Sequence, residues 1–175
     1  MSGDDVLRAF DAVGRTQSEL GFRDGVAEGP LRTYDDRGAV QIDAGFVGGR
    51  LDGPAEVRSL DTPVLRLAFR QGVPDGTMES FDPSTGAMAL RATFRNGVLD
   101  GPFTLFHDNG QPSRRCTYRG GKLDGELVDY EPDGAEVRRV RYEAGHPVDE
   151  PPPEPLEETE AVAETRPWYR RFVPW

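Results

Sequence analysis

Residues of the types that do covalent or metal chemistry are few in this chain, and their spacing keeps them apart. Cys116 is the single cysteine, so no intrachain disulfide can form. The two histidines are His107 and His146, and with one distant cysteine they do not make the ligand set that zinc requires. His107-Asp108 resembles a fragment of a catalytic pair, but no serine or cysteine nucleophile stands at a meaningful spacing from it. Cys116 alternates with Tyr118 on an inward-reading face, which predicts a small core residue rather than a reactive thiolate. No Walker glycine loop and no Gly-x-Gly-x-x-Gly is present. No catalytic residue, metal or cofactor is therefore expected, and the protein is not expected to be an enzyme.

What remains is the chemistry of binding. Both tryptophans, Trp168 and Trp175, lie in the last eight residues, with Tyr169 and Phe172 between them and Arg170 and Arg171 at the centre. Trp, Tyr and Arg are the residue types enriched at binding hot spots. Ahead of this segment, Asp149 to Glu164 holds seven acids, four prolines and no base, a composition that stays solvated and semi-rigid. A tethered protein-docking motif is the expectation for residues 166–175. Covering the open end of its own fold and insertion at a membrane interface are the alternatives. A second feature is arginine placement. Arg66, Arg91, Arg115 and Arg139 recur on one register, and Arg70, Arg95 and Arg119 on another. Both registers point away from the apolar face, so they form either a basic strip that receives an acidic partner or one side of a cross-strand ion-pair ladder with Glu56, Glu79 and Glu126.

The elements that place these residues follow from an internal repeat. Gly-x-x-(Asp/Glu)-Gly recurs at Gly25–Gly29, Gly49–Gly53, Gly72–Gly76, Gly97–Gly101 and Gly121–Gly125, at intervals of 24, 23, 25 and 24 residues. A second glycine follows nine or ten residues later in four copies (Gly38, Gly86, Gly110, Gly134). An aromatic falls three residues before the next motif: Phe46, Phe69, Phe94, Tyr118 and Tyr142. Each unit reads as two strands joined by a turn. Leu65, Leu67 and Phe69 share one face while Arg66 and Arg70 point the other way. The Asp of each motif could form a carboxylate ladder for calcium; its expected role is to bond turn amides. The second unit departs, with Arg58 where the others place Tyr34, Phe81, Phe106 or Tyr130, and with no central glycine. Hairpins stacked in series give an all-β antiparallel meander, a solenoid in which the units share a core that none could build alone.

These motifs carry a resemblance. GVLDGPFTLFHDNGQPSRRCTYRGG and GKLDGELVDYEPDG are similar to the variant MORN repeats of the bacterial YwqK-family antitoxins, over Gly25 to about Gly145. The resemblance implies a non-enzymatic β-repeat that binds protein: an antitoxin, immunity or adaptor protein whose partner is a toxin, effector or secretion-complex subunit. The rival it implies is a membrane-peripheral MORN scaffold that contacts lipid through the aromatic and arginine tail.

Composition agrees with the binding class. The chain has 175 residues, 36% of them apolar, and a net charge of −10, which disfavours nucleic acid and anionic lipid as partners. No run of 18 apolar residues occurs, and the acidic start MSGDDVLRAF is unlike a signal peptide, so a cytoplasmic location is expected. Four segments are predicted: an N-terminal helix or cap over 1–24, five hairpin repeats over 25–148, the acidic linker 149–165 and the docking motif 166–175. The helix expectation rests on Val6, Leu7, Phe10 and Val13 at helical spacing after Asp4-Asp5.

Overall fold

The structure, a computed structural model, describes residues 4–148. The acidic linker and the aromatic docking motif lie outside the described residues. Strands follow one another along the chain: β1 (Asp4–Phe10), β2 (Thr16–Arg23), β3 (Val26–Tyr34), β4 (Val40–Val47), β5 (Arg50–Leu51), β6 (Gly53–Ser59), β7 (Thr62–Arg70) and β8 (Val73–Pro74). They continue as β9 (Gly76–Phe81), β10 (Met88–Arg95), β11 (Val98–Phe106), β12 (Pro112–Arg119), β13 (Lys122–Leu123), β14 (Gly125–Tyr130), β15 (Glu136–Glu143) and β16 (His146–Pro147). All belong to one antiparallel sheet in chain order. The two-residue strands β5, β8 and β13 pair β4, β7 and β12 beside the main path. β1 and β16 stand at opposite ends of that order, so the sheet is open.

The N-terminal helix is replaced by a strand. β1 pairs β2 from Asp4↔Arg23 to Phe10↔Thr16. The helical spacing of four apolar residues is a local preference, and pairing with a neighbour overrides it. The cause is visible in the repeat. Phe10-Asp11 followed by Gly14 reproduces Tyr34-Asp35 followed by Gly38, and Phe22 stands three residues before Gly25 as the closing aromatics do. The first hairpin is another copy of the unit.

Two kinds of turn alternate. The motif's first glycine is the second residue of a tight turn whose two central residues both have φ > 0, as at Asp24 (φ 50°)–Gly25 (φ 79°) and Asn96 (φ 49°)–Gly97 (φ 82°). This mirror-image turn matches the right-handed twist of the strands it joins, which is why glycine recurs there. Each such turn is tied to the one before it: the amides of Gly49, Gly72, Gly97, Gly121 and Gly145 donate to the carbonyls of Ala27, Leu51, Pro74, Leu99 and Leu123 at 2.7–2.9 Å. At the other end, the longer turns close on Gly14, Gly38, Gly110 and Gly134, whose amides donate to Asp11, Asp35, His107 and Glu131. The divergent second unit has a shorter turn here. Leu60 (φ 49°) and Asp61 (φ 68°) carry it directly between Ser59 and Thr62, so no central glycine is needed.

The motif's second glycine faces the closing aromatic across the strand pair: Gly29↔Phe46, Gly53↔Phe69, Gly76↔Phe94, Gly101↔Tyr118 and Gly125↔Tyr142. A residue without a side chain leaves the ring room to lie over the backbone, which couples the two recurring residue types. Beside this row runs the apolar one. Leu7, Leu20, Leu31 and Ala44 lie directly opposite one another in turn, as do Met78, Ala92, Phe103 and Cys116. Phe103 and Tyr118 meet edge to face at 5.6 Å. With a single sheet, burial is modest: Ala44, Leu90, Ala92, Cys116, Leu127 and Val140 are buried on the apolar face, Val128 is buried on the other, and no large side chain among the described residues is fully enclosed. No helix among them is long and apolar enough to cross a membrane.

Candidate functional site

On the face opposite the apolar row, one register of each strand aligns into a continuous line across the sheet. In order it runs Arg8, Glu19, Arg32, Asp43, Glu56, Arg66, Glu79, Arg91, Thr104, Arg115, Val128, Arg139, each opposite the next. Four of the predicted arginines, Arg66, Arg91, Arg115 and Arg139, therefore do share one line. Acids answer most of its cations. Arg8 pairs Glu19 at 2.8 Å, Arg32 pairs Asp43 at 3.5 Å, Arg66 pairs Glu56 at 2.7 Å and Arg91 pairs Glu79 at 2.9 Å. Arg139 reaches Glu126 and also Glu136, the latter at 2.7 Å. Hydrogen bonding from Arg66 holds the Glu56 carboxyl below its ordinary value, and Arg8 followed by the Tyr34 hydroxyl does the same for Glu19. Both acids thus stay ionised and matched to their cations.

The second predicted register is likewise paired. Arg70 meets Asp75 at 3.3 Å, Arg95 meets Asp100 at 3.7 Å and Arg119 meets Asp124 at 3.4 Å. The acid in each case is the motif's own. These acids also brace the stack: the carboxylates of Glu28, Asp52 and Asp75 accept from the amides of Gly48, Gln71 and Asn96 in the next turn, at 2.8, 2.9 and 3.1 Å. They bond turn amides, and no three His, Cys, Asp or Glu among the described residues are grouped to hold a metal.

Arg115 differs from the others. Thr104 and Val128 stand where the line elsewhere places acids, and no carboxylate among the described residues pairs with it. Its guanidinium lies 5.8 Å from the centre of the Tyr130 ring, as that of Arg66 lies 5.3 Å from Phe81. Arg114, one residue away and on the opposite face, pairs Asp129 at 2.6 Å. The described part of the predicted basic strip is thus charge-compensated along most of its length and uncompensated at one position.

Arg8, Glu19 and Arg32, which begin this line ahead of Asp43, are not among the predicted residues. Their signal is the repeat interval: Arg8 to Arg32 and Glu19 to Asp43 are each separated by the 24 residues that separate the first two motifs. The helical spacing of Val6, Leu7, Phe10 and Val13 masks it. His107 serves structure. His107 Nε2 lies 2.8 Å from the Tyr130 carbonyl, joining one turn to the next. Cys116 is buried in the apolar row, and burial pushes its thiol up to about 11. At pH 8 the native protein should therefore resist a thiol reagent that labels it fully once unfolded; rapid labelling of the native form would contradict the placement of Cys116.

Trp168, Tyr169, Arg170, Arg171, Phe172 and Trp175 lie outside the described residues. No family model matches the chain, and no curated protein matches it.

Proposed function

We propose that this chain is a non-catalytic protein-binding repeat module: an antitoxin, immunity or adaptor protein of a bacterial toxin or secretion system, built from MORN-like hairpins. The observation that carries the reading is the contrast between the two parts of the chain. The sheet spends its charged residues on itself, whereas both tryptophans sit beyond an acidic, proline-rich spacer with arginines between them. Each aromatic ring buries ~150–250 Å² on docking, so a few deep contacts can offset the entropy of ordering the segment. The absence of a grouped nucleophile, acid and base from the residue inventory supports the non-catalytic class.

The test uses the intact protein as bait beside a Trp168→Ala/Trp175→Ala variant. Proteins retained by the first should be lost by the second, while the melting temperature changes by no more than ~2 °C. Equal retention by both baits would sink the docking motif. Sedimentation with phosphatidylglycerol-containing vesicles addresses the lipid-contacting alternative. Co-sedimentation of the wild type and not of the double variant would favour a peripheral scaffold over a protein adaptor.

A further inference from the structure

We propose that β1 is a self-association edge: two copies pair β1 to β1, antiparallel and centred on Val6, to give one sheet continuous across a two-fold axis. Among the described residues nothing pairs the outer side of this strand. An unpaired strand presents a row of free amides and carbonyls, and such edges are usually blunted by proline, bulges or covering elements. β1 is seven residues long, contains no proline, and its one irregularity falls at its end, between Ala9 and Phe10. Its large apolar side chains are at the surface: Val6, Leu7 and Phe10 are 52%, 64% and 56% exposed.

Charge selects the occupant. The other end of the array offers the part of β15 that β16 leaves unpaired, but continuing the line of charges from one copy to the next would set Arg139 against Arg8. Like charges directly opposite are destabilising, so head-to-tail stacking is disfavoured. Self-pairing is different. A two-fold axis normal to the sheet keeps each face on its own side, so every residue opposes one of the same face. Centring on Asp5 or on Arg8 would place that residue against its own copy. Centring on Leu7 sets Asp4 against Phe10 and Arg8 against Val6. Centring on Val6 sets Asp4 of each copy against Arg8 of the other, twice, with Val6 against Val6 between them. In register, Arg8 then falls between Glu19 of its own chain, which it bonds at 2.8 Å, and position 4 of the second copy, an aspartate in the sequence. The alternation of sign seen from Arg8 through Glu19 and Arg32 to Asp43 continues through the axis.

One strand pair falls at the small end of interface sizes, so the dimer should populate at protein concentrations on the order of 100 μM. This association is independent of the C-terminal motif and of the proposed adaptor role. Sedimentation velocity of the full chain should give twice the 19.3 kDa chain mass at that concentration and the single mass on dilution. Asp4→Arg and Arg8→Glu should each sediment as monomers with unchanged circular dichroism. Their equimolar mixture should recover the dimer, because the introduced arginine then faces the introduced glutamate and native Arg8 faces native Asp4. A wild type that stays monomeric throughout, or single variants that dimerise as it does, would overturn the proposal. So would a monomer whose tryptophan emission shifts on Asp4→Arg, since that would place the C-terminal segment on this edge.

Discussion

Replacing Gly21 with alanine is expected to lower the unfolding free energy by about 2–4 kcal/mol, more than any ordinary surface change. Gly21 is buried in β2, opposite the bulge formed by Glu28, Gly29 and Pro30. A Cβ built on it lies 2.2 Å from the Glu28 carbonyl oxygen and 3.4 Å from that carbonyl carbon. A flexible side chain could swing away from such a contact, but a backbone oxygen moves only with its strand. The strand is not free to move, because Glu28 also braces the next turn by accepting from the Gly48 amide at 2.8 Å. Relief at Gly21 therefore disturbs a second repeat. Gly38→Ala is the matched control. Its Cβ meets nothing within 4 Å, and only its positive φ of 82° opposes a side chain, a penalty of about 1–2 kcal/mol. Urea unfolding of the two variants should rank Gly21→Ala as the more damaging. The reverse order would contradict the close approach of β2 to the bulge.

The sheet was legible because its determinants are local and periodic. Leu65, Leu67 and Phe69 alternate with Arg66 and Arg70 at a period only a strand satisfies, and the glycine motif marks turns whose φ > 0 excludes most residues. The first hairpin was misread because its leading motif is missing. Val6, Leu7, Phe10 and Val13 fit a helix when read alone, and only the match of Phe10 and Gly14 to later copies reveals a strand. Arginine registers were legible for the same periodic reason. Their partners were only half so, since an ion pair depends on which strand lies alongside and in what register. Glu56 and Glu79 could be named from alternation; Arg115 could not be singled out, because its lack of an acid depends on Thr104 and Val128 standing opposite it. Pairing is a property of the sheet, not of either strand.

That distinction decides what removing the arginines should do. A variant with Arg91, Arg95, Arg115 and Arg119 all changed to glutamine is expected to lose about 1–3 kcal/mol of stability at low ionic strength. Three of the four have carboxylate partners, Glu79, Asp100 and Asp124, and all three contacts are solvent-accessible, which limits each to ~0.2–1 kcal/mol. A second effect adds to these. The net charge falls from −10 to −14, and the bereft acids stand in registered rows where repulsion accumulates. Screening gives the signature. At ~1 M salt the Debye length is ~3 Å, so most of the deficit should disappear. Arg115→Gln alone supplies the discriminating control. No carboxylate among the described residues pairs with it, and what it loses is stacking over Tyr130. Its stability should stay within ~0.5 kcal/mol of wild type at any salt, whereas Arg91→Gln should show a salt-dependent loss. Equal losses for the two single variants, or a fourfold variant whose deficit ignores salt, would mean that the arginines act through packing of their alkyl stems rather than through the line of charge.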